Sequence, residues 1–290
     1  MLKSLSPPQG GDKQRYKTGN PVTVLSQLNY ISLLSIFEET AIAAGREILR
    51  IYEEGCDVAL KDDKSPVTAA DHAAEAIILA ALRRVTPDIP VVAEEEISGG
   101  YVPGNLGDRF YLVDPLDGTR EFVNRNGDFT VNIALIEHGA PVLGVVYAPV
   151  RGWLFIGGPE GAQEVAVDHE VKITGRKTIA CRVAPEQMVA VASRSHRTPE
   201  TDDFLEGFSI ADCVSVGSSL KFGLLARGEA DIYPRFGRTM EWDTAAGDAV
   251  LRAAGGITLT LDGEPLTYGR RNQADDADFA NPNFVARGKL

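Results

Sequence analysis

The chain has 290 residues, 44% of them hydrophobic and 24% charged, enough apolar material for a sizeable core in one large or two moderate domains. A formal net charge of −12 argues against a nucleic-acid polymer as partner, because such proteins present a basic face. No run approaches the roughly 18 consecutive apolar residues of a membrane helix, so no transmembrane segment is expected. Cys56, Cys181 and Cys213, with no Cys-x-x-Cys spacing, read as reduced thiols of a cytoplasmic protein.

In chain order, residues 1–22 hold Lys3, Pro7, Pro8, Gly10, Gly11 and Lys13 and have no apolar h-region. They read as a flexible tail rather than a signal peptide, with contact at the inner membrane face left open. From Leu33 to Tyr52, apolar residues at Ile36, Phe37, Ala41, Ala44, Ile48 and Ile51 form a helical stripe that Gly55 would end. Val58 to Lys61 is a short strand, and Thr68 to Val85 is a second amphipathic helix stopped by Pro87. Ile89 to Ala93 is a strand that runs into Glu94, Glu95 and Glu96. Next come the strand Phe110 to Val113, the segment Asp114-Pro115-Leu116-Asp117-Gly118-Thr119, and strands at Thr130 to Glu137, Leu143 to Tyr147 and Trp153 to Ile156. His138-Gly139 makes the turn between the first two of these three. Pro159 to Lys172 looks like edge-strand or hairpin material, and Gly175 to Pro185 looks like a crossover. The boundary placed there gives an N-terminal α+β metal-binding domain over residues 23–180 and a C-terminal α/β selectivity domain over residues 181–290. Met188 to Ala192, Val214 to Val216 and Ile257 to Leu261 read as strands. Ser218 to Ala226 and Thr244 to Ala254 read as helices, and this alternation suits an α/β half.

The segment at Asp114 packs two carboxylates, a hydroxyl and a glycine behind an apolar strand. Pro115 biases Asp114 toward an extended backbone and stiffens the turn. Oxygen ligands held this way suit a hard cation such as Mg²⁺. Gly118 lets the backbone approach a ligand, and Thr119 can cap a helix through Arg120, Glu121 and Phe122. Ordinary turn chemistry explains the same residues equally well. The three glutamates can be a solvated acidic loop, Asp243 a plain helix cap, and Asp71 the partner of Thr68 in a capping box. Taken together, Glu94, Asp114, Asp117 and Asp243 match what a two-metal phosphate-cleaving centre requires, since such cations lie about 3.5–4 Å apart and need bridging carboxylates.

The ordered set Lys61, Pro66-Val67-Thr68-Ala69-Ala70-Asp71, Glu94-Glu95, Asp114 to Thr119 and Trp242-Asp243-Thr244-Ala245-Ala246-Gly247 resembles the Mg²⁺-dependent, lithium-sensitive phosphatases of the inositol monophosphatase superfamily. Gly217-Ser218-Ser219-Leu220-Lys221-Phe222 and Ala230 to Gly237 make it most similar to the CysQ-type 3′(2′),5′-bisphosphate nucleotidases. The similarity runs from about Leu33 to about Ala286. It implies a layered α-β-α-β-α sandwich, mixed α/β in class, and two or three Mg²⁺ per site. Glu94, Asp114 and the Leu116 carbonyl would hold one ion, and Asp114, Asp117 and Asp243 a second. It also implies that Asp71, Glu94 and Thr119 prepare the attacking water, and that the Gly118 and Thr119 amides receive the phosphate. The implied reaction removes the 3′-phosphate of adenosine 3′,5′-bisphosphate, a by-product of sulfate activation.

Substrate choice is expected from the second half. Lys221 would meet the other phosphate, Ser218 and Ser219 would add donors from a helix start, and His196 would pack on adenine or touch a phosphate. Arg235 fits either a domain-seam ion pair or a substrate contact. His72, His138 and His169 have no metal-ligand spacing and are assigned nothing. An inositol or fructose phosphatase with the same chemistry, or a non-catalytic metal- or nucleotide-binding protein, stays open beside this reading.

Overall fold

A computed structural model describes residues 29–55, 57–61, 66–193 and 198–289. The tail expected over residues 1–22, and Cys56, lie outside these described residues. Cys181 is a buried free thiol.

Helix α1 spans Tyr30–Glu54, longer at both ends than its apolar stripe. The Asn29 side chain accepts from the Ser32 N–H at its start, and Gly55 at φ 78° stops it. The short strands β1 (Val58–Leu60) and β2 (Pro66–Thr68) pair antiparallel and lead into α2 (Ala69–Val85). Strand β3 (Val91–Ala93) runs into a helical turn, α3 (Glu94–Ser98), so the three glutamates start a helix rather than a loop.

A seven-stranded sheet follows, in the order β3, β4 (Arg109–Asp117), β5 (Thr130–Glu137), β6 (Ala140–Ala148), β7 (Trp153–Gly158), β8 (Gly161–Val167) and β9 (Ile173–Ile179). Only β3 and β4 pair in parallel. Two sequence expectations change here. The segment after Lys172 is not a crossover but the sheet's edge strand β9. Its outward residues include Arg176 and Lys177, which suit an edge that must not recruit another chain. The stretch after Pro159 forms β8, hairpinned antiparallel to β7 and β9 as one of its two readings had it, but interior to the sheet rather than at its edge.

The second sheet has the order β11 (Ile210–Val216), β10 (Met188–Ser193), β12 (Ile232–Arg235), β14 (Phe284–Arg287), β13 (Ile257–Thr260). Strand β10 is parallel to both β11 and β12, whereas β14 returns antiparallel beside β12 and β13. The half is therefore a mixed sheet. Its helices are α5 (Pro199–Leu205), α6 (Leu220–Ala226) and α7 (Glu241–Ala253).

Side-chain alternation along the strands explains how these elements stack. Tyr111, Val113, Val131, Ile133 and Leu135 pack with α1 and α2, while Phe110, Leu112, Ala134 and Ile136 face α6 and α7. The same inner cluster continues through Val191, Tyr233 and Phe284 of the second sheet, whose far face packs Ala190, Ile232 and Val285 against Leu205 of α5. The result is the expected five-layer α-β-α-β-α sandwich. Each layer boundary buries apolar area at about 25 cal/mol per Å², the dominant stabilising term.

Candidate active site

Strand β4 does not end at Asp114. It continues to Asp117, with Asp114 opposite Asn132 and Asp117 opposite Thr130, so one extra residue is inserted between the two acids. The expected turn is thus a β-bulge followed by Gly118 at φ 95°, which lets the chain reverse into α4 (Thr119–Val123). Gly118 occupies the capping position. Thr119 is the first helical residue, and its hydroxyl does not cap the helix. It donates to Asp71 Oδ1 at 3.0 Å and to the Leu116 carbonyl at 3.4 Å.

Asp71, almost wholly buried, serves two partners at once. Its Oδ2 accepts from the Thr68 N–H at 2.8 Å and the Thr68 hydroxyl at 2.7 Å, which completes a capping box for α2, while its Oδ1 meets Thr119. Burial raises its carboxyl above the usual range, and the Thr68 and Thr119 hydrogen bonds pull it back.

The remaining acids converge from three elements. Burial pushes Asp114 well above its ordinary range, with the Glu94, Asp117 and Asp243 carboxylates adding to the effect, and Asp114 and Glu94 are near enough to share a hydrogen bond. Asp243, at the third position of α7, is raised by burial and by Asp117 and Glu94, and its Oδ2 accepts from the Met240 N–H at 2.8 Å. Trp242 beside it packs into the core against Phe279. Lys61 donates to Glu94 at 2.7 Å and to Glu95 at 2.6 Å. Burial lifts Glu94 to about 7 while Lys61 pulls it down and Glu95 pushes it up. Among the described residues, no three His, Cys, Asp or Glu groups are gathered into a closed cation cage. The donors are nonetheless all oxygens, from Glu94, Asp114, the Leu116 carbonyl, Asp117 and Asp243. Their mutual repulsion, read from the raised acids, is the kind a hard divalent cation relieves, so these residues fit Mg²⁺.

A cavity of about 230 Å³ opens here, and its lining includes Glu94, Asp117, Thr119 and Asp243 together with Lys221, Arg235 and Arg238. Burial brings the Lys221 ammonium down to about 8, against the pull of Asp117. Lys221 is not a solvated helix lysine: its Nζ donates to the Ser218 carbonyl at 2.5 Å and lies 5.3 Å from the Tyr233 ring centre. Arg235 is buried and donates to the Arg238 carbonyl at 3.1 Å.

Ser218 and Ser219 depart from expectation. The helix starts at Leu220, and Ser218 sits in the left-handed region at φ 55°. Their polar groups meet protein partners: the Ser219 N–H donates to Asp117 Oδ2 at 2.7 Å, Ser219 Oγ to the Asp243 carbonyl at 2.6 Å, and Ser218 Oγ lies 2.6 Å from Thr130 Oγ1. Both serines line the cavity, but these groups tie its two halves together. His196 lies outside the described residues. His72, His138 and His169 are exposed, away from the cavity lining.

Sequence reasoning gave no role to Lys61, Arg120, Arg238 or Asn132. Arg238 could have been found, since it stands between Gly237 and the Trp-Asp motif. Asn132, on a strand of buried residues, carried no local signal.

The profile of the inositol monophosphatase family matches residues 30–282. The 3′(2′),5′-bisphosphate nucleotidase CysQ of Escherichia coli (strain K12) is 47% identical over 243 residues, covering 83% of this chain and 94% of that protein. The crystal structure of CysQ from Bacteroides thetaiotaomicron superposes with a TM-score of 0.74 at 37% identity, covering 91% of this chain and 100% of that one. An inositol monophosphatase from Anabaena (Nostoc) sp. PCC 7120 gives a TM-score of 0.67 at 25% identity, covering 89% and 91%.

Proposed function

Because the chain belongs to the inositol monophosphatase family, we propose that it is a Mg²⁺-dependent 3′(2′),5′-bisphosphate nucleotidase that hydrolyses adenosine 3′,5′-bisphosphate to AMP and phosphate. The observation that carries this reading is one cavity whose lining combines the carboxylates of Glu94, Asp117 and Asp243 with the cations Lys221, Arg235 and Arg238. That polarity suits a substrate with two phosphates, one to be cleaved and one to be held. Identity of 47% to a protein named for this activity supports the choice of substrate.

Glu94, Asp114, the Leu116 carbonyl, Asp117 and Asp243 would hold two or three Mg²⁺. When bound, these ions supply Lewis-acid polarisation of the phosphoryl group and make water a stronger acid. The chain does the rest. Thr119 gives its hydroxyl hydrogen to Asp71 Oδ1, which leaves its oxygen lone pairs to accept from an attacking water. Asp71 is kept from turning by the two Thr68 donors on its other oxygen. The water proton would thus pass by way of Thr119 to Asp71 as oxygen attacks phosphorus in line. The bond from phosphorus to the 3′ oxygen breaks with its electron pair on the leaving oxygen, which takes a proton from solvent. Lys221 and Arg235 would neutralise the second phosphate and align the first.

A substrate panel tests this. Phosphate release with Mg²⁺ should favour adenosine 3′,5′-bisphosphate over myo-inositol 1-phosphate and fructose 1,6-bisphosphate, and Li⁺ should inhibit it. Equal or faster turnover of myo-inositol 1-phosphate would overturn the assignment.

A further inference from the structure

We propose that Asn132 is a positioning residue that locks Asp117 to the Ser218–Ser219 turn, making the proposed cation ligand and the turn that leads to Lys221 one mechanical unit. The inference rests on the reading of Asp117 as a Mg²⁺ ligand. Asn132 lies on β5 directly opposite Asp114 and is only 1% exposed. A polar side chain so deeply buried must find partners, and three groups supply them.

Thr130 Oγ1 donates to Asn132 Oδ1 at 2.9 Å. This fixes the sense of the amide, since a flipped group would set its oxygen against the Asp117 carboxylate. With Oδ1 engaged, Nδ2 faces Ser219 Oγ at 3.1 Å and Asp117 Oδ2 at 3.4 Å. The Ser219 N–H donates to the same Asp117 oxygen, and Ser219 Oγ donates onward to the Asp243 carbonyl. Thr130 in turn meets Ser218. Asn132 therefore sits at the crossing of β4, β5, the 218–219 turn and the first turn of α7.

Two consequences follow from this wiring. Asp117 Oδ2 is tethered from two directions, so its other oxygen is oriented before a cation arrives, the service that outer partners give to metal ligands. Any movement of the 218–219 turn, which carries Lys221 at its end, also moves the Asp117 donors. A residue that merely filled the core would affect stability and leave both properties alone.

The test is calorimetric titration of the full chain with Mg²⁺ alone, for wild type, N132L, S219A and the double variant, with thermal melts in chelator. N132L keeps roughly the volume and removes both amide functions. Mg²⁺ affinity should fall about ten- to hundredfold in N132L, as for other outer partners of metal ligands. The double variant should be no weaker than the worse single one, because both changes break one relay. In steady-state assays N132L should also raise KM as well as lower kcat. If N132L shows no cooperative melt, N132S is read by the same criterion. Mg²⁺ affinity within twofold of wild type overturns the proposal, whatever the melting temperature does. Wild type that binds no Mg²⁺ overturns the function reading itself, and this inference with it.

Discussion

Replacing Asp71 by Asn separates the two roles that Asp71 combines. The amide has one acceptor. The Thr68 N–H, 2.8 Å away, needs that acceptor, so Nδ2 must face Thr119 Oγ1 at the 3.0 Å now spanned by the Thr119 donation. The capping box survives, but the hydrogen bond to Thr119 reverses, and the Thr119 hydrogen is left with the Leu116 carbonyl at 3.4 Å. Stability should change by less than about 1 kcal/mol, since the lost charge was one that burial already opposed. Activity should fall about 10²–10⁴-fold, the usual share of general-base catalysis, or roughly 3–5 kcal/mol of barrier. D71A makes the contrast, because it removes the Asp71 half of the capping box and strands the buried Thr68 N–H at about 1–3 kcal/mol, while Thr68 still accepts from the Ala70 N–H. The assay is kcat/KM on adenosine 3′,5′-bisphosphate at saturating Mg²⁺, beside urea melts of both variants. A folded D71N within threefold of wild-type activity would refute the proton path through Thr119. A D71N as unstable as D71A would refute the reading of the cap.

Gly217 should tolerate no side chain. A Cβ there would lie 2.7 Å from the Asp128 carbonyl oxygen and 2.8 Å from Glu121 Cγ, so G217A should cost about 1–3 kcal/mol in denaturant melts and raise KM. Glu75 is buried, accepts from the Glu95 N–H at 2.8 Å, and is lifted by burial from 4.5 to about 7. Because the folded state keeps this proton longer than the unfolded one, stability falls as pH rises from about 4.5 to 7. E75Q should flatten that slope by at most about 3 kcal/mol, and by roughly half that after allowance for solvent, with melts between pH 4 and 8 as the check. Mg²⁺ at a hundred times its Kd should stabilise the fold by about 2.7 kcal/mol and raise Tm, an effect that chelator reverses and D117N weakens. A D117N variant with full Mg²⁺-dependent hydrolysis would contradict the ligand assignment.

Elements with a strong period were legible. The stripe from Leu33 to Tyr52, the alternation from Thr130 to Glu137 and the Gly139 turn all appear close to their expected bounds. Strands that hid did so for physical reasons. The β12 residues Ile232–Arg235 include Pro234, which normally argues against a strand within a sheet, and the polar β9 has almost no buried residue. The short helix α5 carries three acids among seven residues and little apolar pattern. At the site, the acids could be named from their order along the chain, but their partners could not. Ser219 looked like a free donor because nothing local shows that Asp117, over a hundred positions earlier, takes its N–H. Thr119 looked like a cap because the bulge before it, which leaves the capping position to Gly118, has no marker beyond Pro115.

That bulge also bears on insertions and deletions. In a regular strand, residues two apart share a face, so a simple Asp-x-Asp would already put both acids on one side without any irregularity. The extra residue is therefore not needed to bring the carboxylates together. What it does is take the residues between Asp114 and Asp117 out of the paired register, where the Leu116 carbonyl accepts from the Thr119 hydroxyl at 3.4 Å. A chain shortened by Pro115 could keep every acid and a better-formed strand, yet lose the displaced Leu116 carbonyl, the one backbone oxygen among the proposed cation ligands.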